Sequence, residues 1–328
     1  MTLLLTIKES SARLVLALVL AGSVVFPAEA GPPVMIGSGF NLPSGVAVDA
    51  QGNVFVADQL NQVVKEIVAA GGYVTVNTLA GSIGSDSPTG VAVDANGNLF
   101  FTDQGNNAVE RILAAGDYAT VTQLGVANGH FHFPTAVAVD GAGNVFVGDQ
   151  ANNAVKEILA AGGYTTVTTI GSGFVQPTGV ALDHNGNLFV ADFGNNAVKE
   201  VKAVGGVIPA SPTIIPIGSG FSHPEDVAVD GSGNVFVTDQ GNSAVKEIVA
   251  ASGYTTVNTV ASGAASLSGI AVDRNGDVFF SESGNNAVLE IVNAVPVLPV
   301  PTLSSWGFML SCLLLAGAGF RAICRLRA

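Results

Sequence analysis

The stretch Gly45-Val46-Ala47-Val48-Asp49-Ala50-Gln51-Gly52-Asn53-Val54-Phe55-Val56-Ala57-Asp58 decides the fold. Its first five residues read as a short alternating strand, and Asp49 to Asn53 read as a turn. Gly52 supplies a positive φ there, and Asn is the residue that best tolerates one. Val54 to Asp58, rich in β-branched and aromatic residues, reads as a second strand. The same stretch recurs, so that equivalent aspartates stand at Asp49, Asp94, Asp140, Asp183, Asp230 and Asp273, spaced by 45, 46, 43, 47 and 43 residues. Counting from each, a Gly falls three residues on, a Phe six on, an acid nine on (Asp58, Asp103, Asp149, Asp192, Asp239, Glu282) and an Asn twelve on. All four tyrosines (Tyr73, Tyr118, Tyr164, Tyr254) fall 24 residues on.

Working outward, each unit continues through a Gly-Asn-Asn-type turn. A third strand follows, such as Ala154-Val155-Lys156-Glu157-Ile158, then an outer one such as Tyr164 to Ile170. No 3.6-residue period competes over these windows. One four-stranded sheet cannot bury both of its faces, whereas radial repetition packs blade on blade around a channel. The spacing is that of four-stranded propeller blades, so the expectation is an all-β, six-bladed β-propeller over residues 31–295. The sixth unit stops near Ala294 without an outer strand. The string Ile36-Gly37-Ser38-Gly39-Phe40, which elsewhere ends outer strands (Ile170 to Phe174, Ile217 to Phe221), instead precedes the first inner strand. Residues near Val34 to Gly37 are therefore expected to complete blade six against its third strand, near Ala287 to Val292.

The units resemble NHL repeats, whose pattern runs roughly Pro-x-Gly-Val-Ala-Val-Asp, Gly-Asn-hydrophobic-Tyr/Phe-Val-Ala-Asp and Asn-Asn-Arg-Val. The resemblance covers about 255 residues and is closest to bacterial extracytoplasmic NHL propellers. The usual Arg is Ala here (Ala108, Ala154, Ala197, Ala244, Ala287), or Val63 in blade one. Residues 31–300 hold 7 Lys/Arg against 23 Asp/Glu, and the whole chain carries a net charge of −13. A nucleic-acid partner needs a basic footprint, so none is expected.

The twelve in-register acids are expected to cap turns and accept backbone N–H bonds. Pairs such as Lys156-Glu157 read as ordinary blade decoration. The Asp-x-x-Gly-Asn/Asp turns offer at most two carboxylates each, too few for a calcium loop. Departures from the repeat carry more information. Five units have Pro six residues before the reference Asp, followed by Ser/Thr and then Gly/Ala; in the fifth unit these two become Glu225 and Asp226, preceded by His223 and Pro224. Unit three carries His130-Phe131-His132-Phe133. These loops lead into inner strands, so His132, His223, Glu225 and Asp226 are candidate ligand-binding residues at one channel mouth. The ligand could be a divalent metal ion or a cationic group; the alternative is solvated loop residues of a degenerate repeat. No other cofactor is expected. Nothing matches a Ser-His-Asp set, a phosphate loop or HExxH.

The two ends read as addresses. Lys8 and Arg13 precede the apolar run Leu14 to Val25, and the small-residue site Ala28-Glu29-Ala30 puts signal cleavage before Gly31, giving a signal peptide over 1–30 with an N-terminal signal helix. Both cysteines, Cys312 and Cys324, lie in the last 17 residues, so the exported body has no disulfide. A linker with a sorting motif spans 296–307: Val300-Pro301-Thr302-Leu303-Ser304-Ser305-Trp306-Gly307. Residues 308–328 read as a transmembrane segment with a basic cytoplasmic end, Arg321, Arg325 and Arg327. The tail resembles IPTL-type C-terminal sorting signals, with Val300 in place of Ile and Ser305 where Glu is common. The resemblance implies a membrane-embedded sorting enzyme of exosortase type and a Gram-negative envelope.

The expected function is that of an exported, surface-sorted, non-catalytic binding or scaffold propeller with a protein or glycan ligand. The alternative is a propeller enzyme of lyase or lactonase type with a metal at the channel mouth.

Overall fold

The computed structural model describes residues 31–79, 87–125 and 130–292, together with the paired segments Leu4–Glu9 and Ala12–Ala17. The latter two form an antiparallel hairpin, with Leu4 opposite Ala17 and Glu9 opposite Ala12, where a signal helix was expected. The cleavage residues Ala28 and Ala30, the sorting motif from Val300 to Gly307, and Arg321, Arg325 and Arg327 lie outside the described residues. Among the described residues no helix is long and apolar enough to cross a membrane.

Residues 31–292 form six antiparallel four-stranded sheets, a six-bladed propeller. Blade one runs Pro43–Val48, Val54–Asp58, Val63–Ile67 and Val76–Leu79 from the inside outward. Blades two to five repeat that order from Pro88–Val93, Pro134–Val139, Pro177–Leu182 and Pro224–Val229. Blade six takes Leu267–Val272, Val278–Glu282 and Ala287–Ile291 from the end of the repeats and its outer strand, Val34–Ile36, from the start. Val288 stands opposite Ile36 and Glu290 opposite Val34, so the ring closes as expected.

Second strands are buried along their whole length because both faces meet a neighbouring blade. In blade one, Phe55 and Ala57 pack against Leu99 and Phe101 of blade two, whereas Val54 and Val56 pack with Phe279 of blade six. Strand alternation therefore divides each second strand between two interfaces. The tyrosines serve the same seam: Tyr73 meets Phe279 edge-on with centroids 5.8 Å apart, and Tyr254 meets Phe189 at 5.8 Å.

The acids divide into two roles. Asp49 Oδ1 accepts the Gln51 and Asn53 N–H groups, both at 2.8 Å, and Oδ2 accepts the Asn53 side-chain amide at 2.9 Å; this turn lock repeats around the ring. Asp58 is fully buried and accepts the Asn41 N–H at 2.7 Å, the Asn61 amide at 2.7 Å and the Lys65 ammonium at 2.7 Å. Lys156, Lys199 and Lys246 make the same ion pair, each also lying over a Phe ring. These lysines are not surface decoration. Val56 stands opposite Lys65, which brings Lys65 diagonally onto Asp58, a contact the sequence order hides. Blade two lacks the lysine: Glu110 takes its place, and burial together with Asp103 raises its pKa to about 7.

Candidate functional site in the channel mouth

All six inner strands carry a bulge at their first residues, just after Pro or Leu. At the glycines there the strands approach so closely that a side chain would clash. A Cβ on Gly45 would come within 2.5 Å of the Thr89 carbonyl oxygen, and one on Gly269 within 2.4 Å of the Ser44 carbonyl oxygen. This explains the Gly/Ala of the repeat. The preceding Ser/Thr forms a belt from blade to blade: Thr89 donates to the Pro134 carbonyl at 3.2 Å, Thr178 to the Pro224 carbonyl at 3.2 Å, and Ser44 and Ser268 meet at 3.2 Å.

Blade five breaks the belt. Glu225 has no hydroxyl to donate, and Gln240 Nε2 reaches the Leu267 carbonyl instead, at 3.4 Å. Asp226 occupies the glycine position and clasps two blades, its Oδ1 accepting the Val227 N–H at 2.9 Å and its Oδ2 the Ile270 N–H of blade six at 3.0 Å. Burial pushes its carboxyl up to about 8, only partly offset by those two bonds. Glu225 faces the channel with no hydrogen-bond partner among the described residues, and burial raises its carboxyl to about 7.

The two acids line a cavity of about 280 Å³ shared by all six blades. Its wall adds an amide set that the sequence reading missed: Gln59, Gln104, Gln150 and Gln240. Each follows the acid nine residues beyond its reference Asp, so a four-times-repeated Asp-Gln pair was the available signal. Phe193 and Ser283 hold that position in blades four and six. Gln59 bonds Ser87 at 2.7 Å, whereas the Gln104 and Gln150 amides have no partner among the described residues. Blade two lies across the channel from blade five, since each inner strand touches only its neighbours around the ring. Gln104 thus faces Glu225 from the opposite wall.

The structure separates the four predicted residues. Glu225 and Asp226 come together in the cavity, whereas His132 and His223 are exposed and do not line it. The reason lies in the backbone. The His132 N–H is committed to Asp149 at 2.7 Å. His223 is held at φ 51° with its N–H on Asn196 at 2.8 Å, a latch that Leu42, Phe133 and Gln176 repeat in other blades. The His223 ring stacks on Phe193 at 4.8 Å, and the His132 ring meets Phe133 at 5.5 Å. Among the described residues no group of three or more His, Cys, Asp or Glu side chains is placed to hold a metal ion.

The NHL repeat family matches residues 174–200 and 221–248, which span the three inner strands of blades four and five. The chain carries NHL repeats built into a six-bladed propeller. A search of curated proteins finds no match to the sequence. Among solved structures, the chain is similar to a gluconolactonase from Xanthomonas campestris, with a TM-score of 0.65 at 16% identity over 84% of this chain and 99% of that one. It is also similar to a catalytically inactive virginiamycin B lyase from Staphylococcus aureus with quinupristin, with a TM-score of 0.56 at 15% identity over 76% of this chain and 80% of that one. At such identities the likeness is one of fold.

Proposed function

We propose that the chain is an exported, surface-sorted binding propeller that holds a polar ligand, glycan-like in its hydrogen bonding, in the channel mouth. The observation that carries this reading is that three side chains without partners among the described residues, Glu225, Gln104 and Gln150, line one cavity. Polar groups that converge on a concave site unsatisfied are the mark of a ligand site. Export through residues 1–30 and sorting through the 296–328 tail rest on the sequence motifs described above. Glu225, Asp226 and the glutamines are the binding residues; His132 and His223 belong to the rim.

A second reading, an enzyme of lyase or lactonase type, is favoured by one feature of the site. A carboxyl titrating near 7 is poised to take or give a proton. Nothing in the cavity supplies a second such group beyond Asp226, which is committed to two backbone N–H groups.

The two readings separate in one experiment. The mature propeller is incubated with a saccharide panel and with δ-gluconolactone, and binding and turnover are measured for the wild type and for Glu225→Gln. Saturable binding without turnover, weakened at least about tenfold by the substitution, is the expected result. Turnover lost in Glu225→Gln would install the enzyme reading in its place.

A further inference from the structure

The cavity wall is chemically one-sided. Its 23 lining residues include Glu225 and Asp226 but no Lys, Arg or His. Every lysine of the blades with an ion pair points the other way, into the Asp hubs or, for Lys202, onto Glu200. Among the described residues no cation lines the cavity beside Glu225, a half-buried carboxyl without a partner there. The neighbouring groups without partners, Gln104 and Gln150, each offer a carbonyl oxygen acceptor. Around them stand the hydroxyls of Ser44, Thr89 and Thr135.

We infer that the ligand of the channel mouth carries a primary ammonium group, which sits on Glu225, while Gln104 and Gln150 on the other walls take polar groups elsewhere on the ligand. An ammonium is a charged donor with no acceptor, and Glu225 is an ionisable acceptor on the cavity wall without a hydrogen-bond partner among the described residues. A charged partner is the one that returns the most to a shielded carboxylate. A neutral hydroxyl would satisfy the hydrogen bonds and leave the charge uncompensated. This inference rests on the binding reading above and narrows it from polar ligands to amines. The cavity volume is sufficient for a monosaccharide-sized amine or the end of an aliphatic one, and the two sources share the ammonium.

The same geometry sets the pH dependence. Glu225 and Asp226 are the titratable groups among the residues lining the cavity, and Asp226 has its oxygens on Val227 and Ile270. Burial holds Glu225 near 7 in the free protein, so below that pH the site becomes neutral and loses its attraction for a cation. Binding an ammonium favours the carboxylate and releases the proton.

Calorimetric titration of the mature propeller with glucosamine, N-acetylglucosamine, glucose and n-butylamine tests this. The expected result is that glucosamine, butylamine or both bind at pH 8, at least about tenfold more tightly than N-acetylglucosamine and glucose. For butylamine, which stays charged throughout, affinity should fall about tenfold between pH 8 and pH 6, with proton release seen as a dependence of the heat on buffer ionisation. Glucosamine binding without butylamine binding identifies an amino-sugar ligand, and the reverse an aliphatic amine; either supports the inference. Glu225→Gln should abolish the pH dependence and weaken the amine at least about tenfold, while Gln150→Leu weakens it less. Glucose or N-acetylglucosamine binding as tightly as the amines overturns the inference and leaves the binding propeller standing. Absence of binding by all four probes overturns both. Because Gln is close to Glu in size and the fold of Glu225→Gln is checked by its melting temperature, loss of binding with an unchanged melting temperature reads the charge and not the fold.

Discussion

Removing residues 31–40 from the mature propeller is expected to lower its melting temperature by at least about 10 °C. The deleted segment is the outer strand of blade six, paired through Val34, Met35 and Ile36, and it also carries Phe40. Ile36 and Phe40 are 5% and 7% exposed and belong to the core between blades six and one. Burying such side chains contributes about 1.5–3 kcal/mol each. For a domain of this size each kcal/mol corresponds to roughly 2–4 °C in Tm. The Gly37 N–H bond to the Tyr73 carbonyl at 3.0 Å and the Lys65 ammonium bond to the Gly39 carbonyl at 2.5 Å go with it. Blade six would then end on a bare edge at Val288 to Glu290. Differential scanning calorimetry of the truncated chain is the check, and an unchanged Tm would show that the ring does not depend on its closing strand.

The second large effect is a gain. Asp226→Gly restores the residue found at Gly45, Gly90, Gly179 and Gly269; it should raise stability at pH 8 by about 2 kcal/mol and lower it at pH 4, where the two N–H bonds are lost with no titration gain to offset them. The folded Asp226 titrates at about 8 against an ordinary value of 3.8. Below pH 4 both folded and unfolded chains hold the proton, and the group contributes its full stability. As pH rises from 4 to 8 the unfolded chain releases the proton while the folded chain retains it, so stability falls across that window and levels off above it. Each pKa unit corresponds to 1.36 kcal/mol. Water at the mouth, the two lost N–H bonds and the entropy of glycine reduce the upper bound to the figure given. Urea melts of both proteins at pH 4 and pH 8 measure the difference. A wild type that grows more stable from pH 4 to 8, with no gain from Asp226→Gly, would mean that the carboxyl is not held protonated.

The balance of what could be read from sequence follows from the repeat. Blade number, strand order and even the closing strand were legible because register repeats at many positions and Ile36 to Phe40 duplicates known strand ends. The break at Glu225 and Asp226 was legible for the same reason, as a departure from five matching units. Side-chain direction was not. His223 stands two residues before Glu225, yet its left-handed backbone turns the ring onto Phe193 and out of the channel, and nothing in loop position or residue type reports that φ. The glutamines were visible as repeated Asp-Gln pairs but looked like part of the structural hub. The lysine partners of Asp58 and its equivalents were hidden because the contact is a diagonal across two strands. The sequence shows which residues repeat; which of them face the channel depends on bulges and turns.

The claim on which the functional account stands is that Glu225 is an unpartnered carboxyl waiting for a cation. The most direct measurement is its titration by carbon-detected NMR in the mature propeller, with and without a saturating primary amine. The midpoint is expected near 7 in the free protein and should fall by at least about one unit when the amine is bound. A midpoint at the ordinary value of 4.5, indifferent to amine, would contradict it.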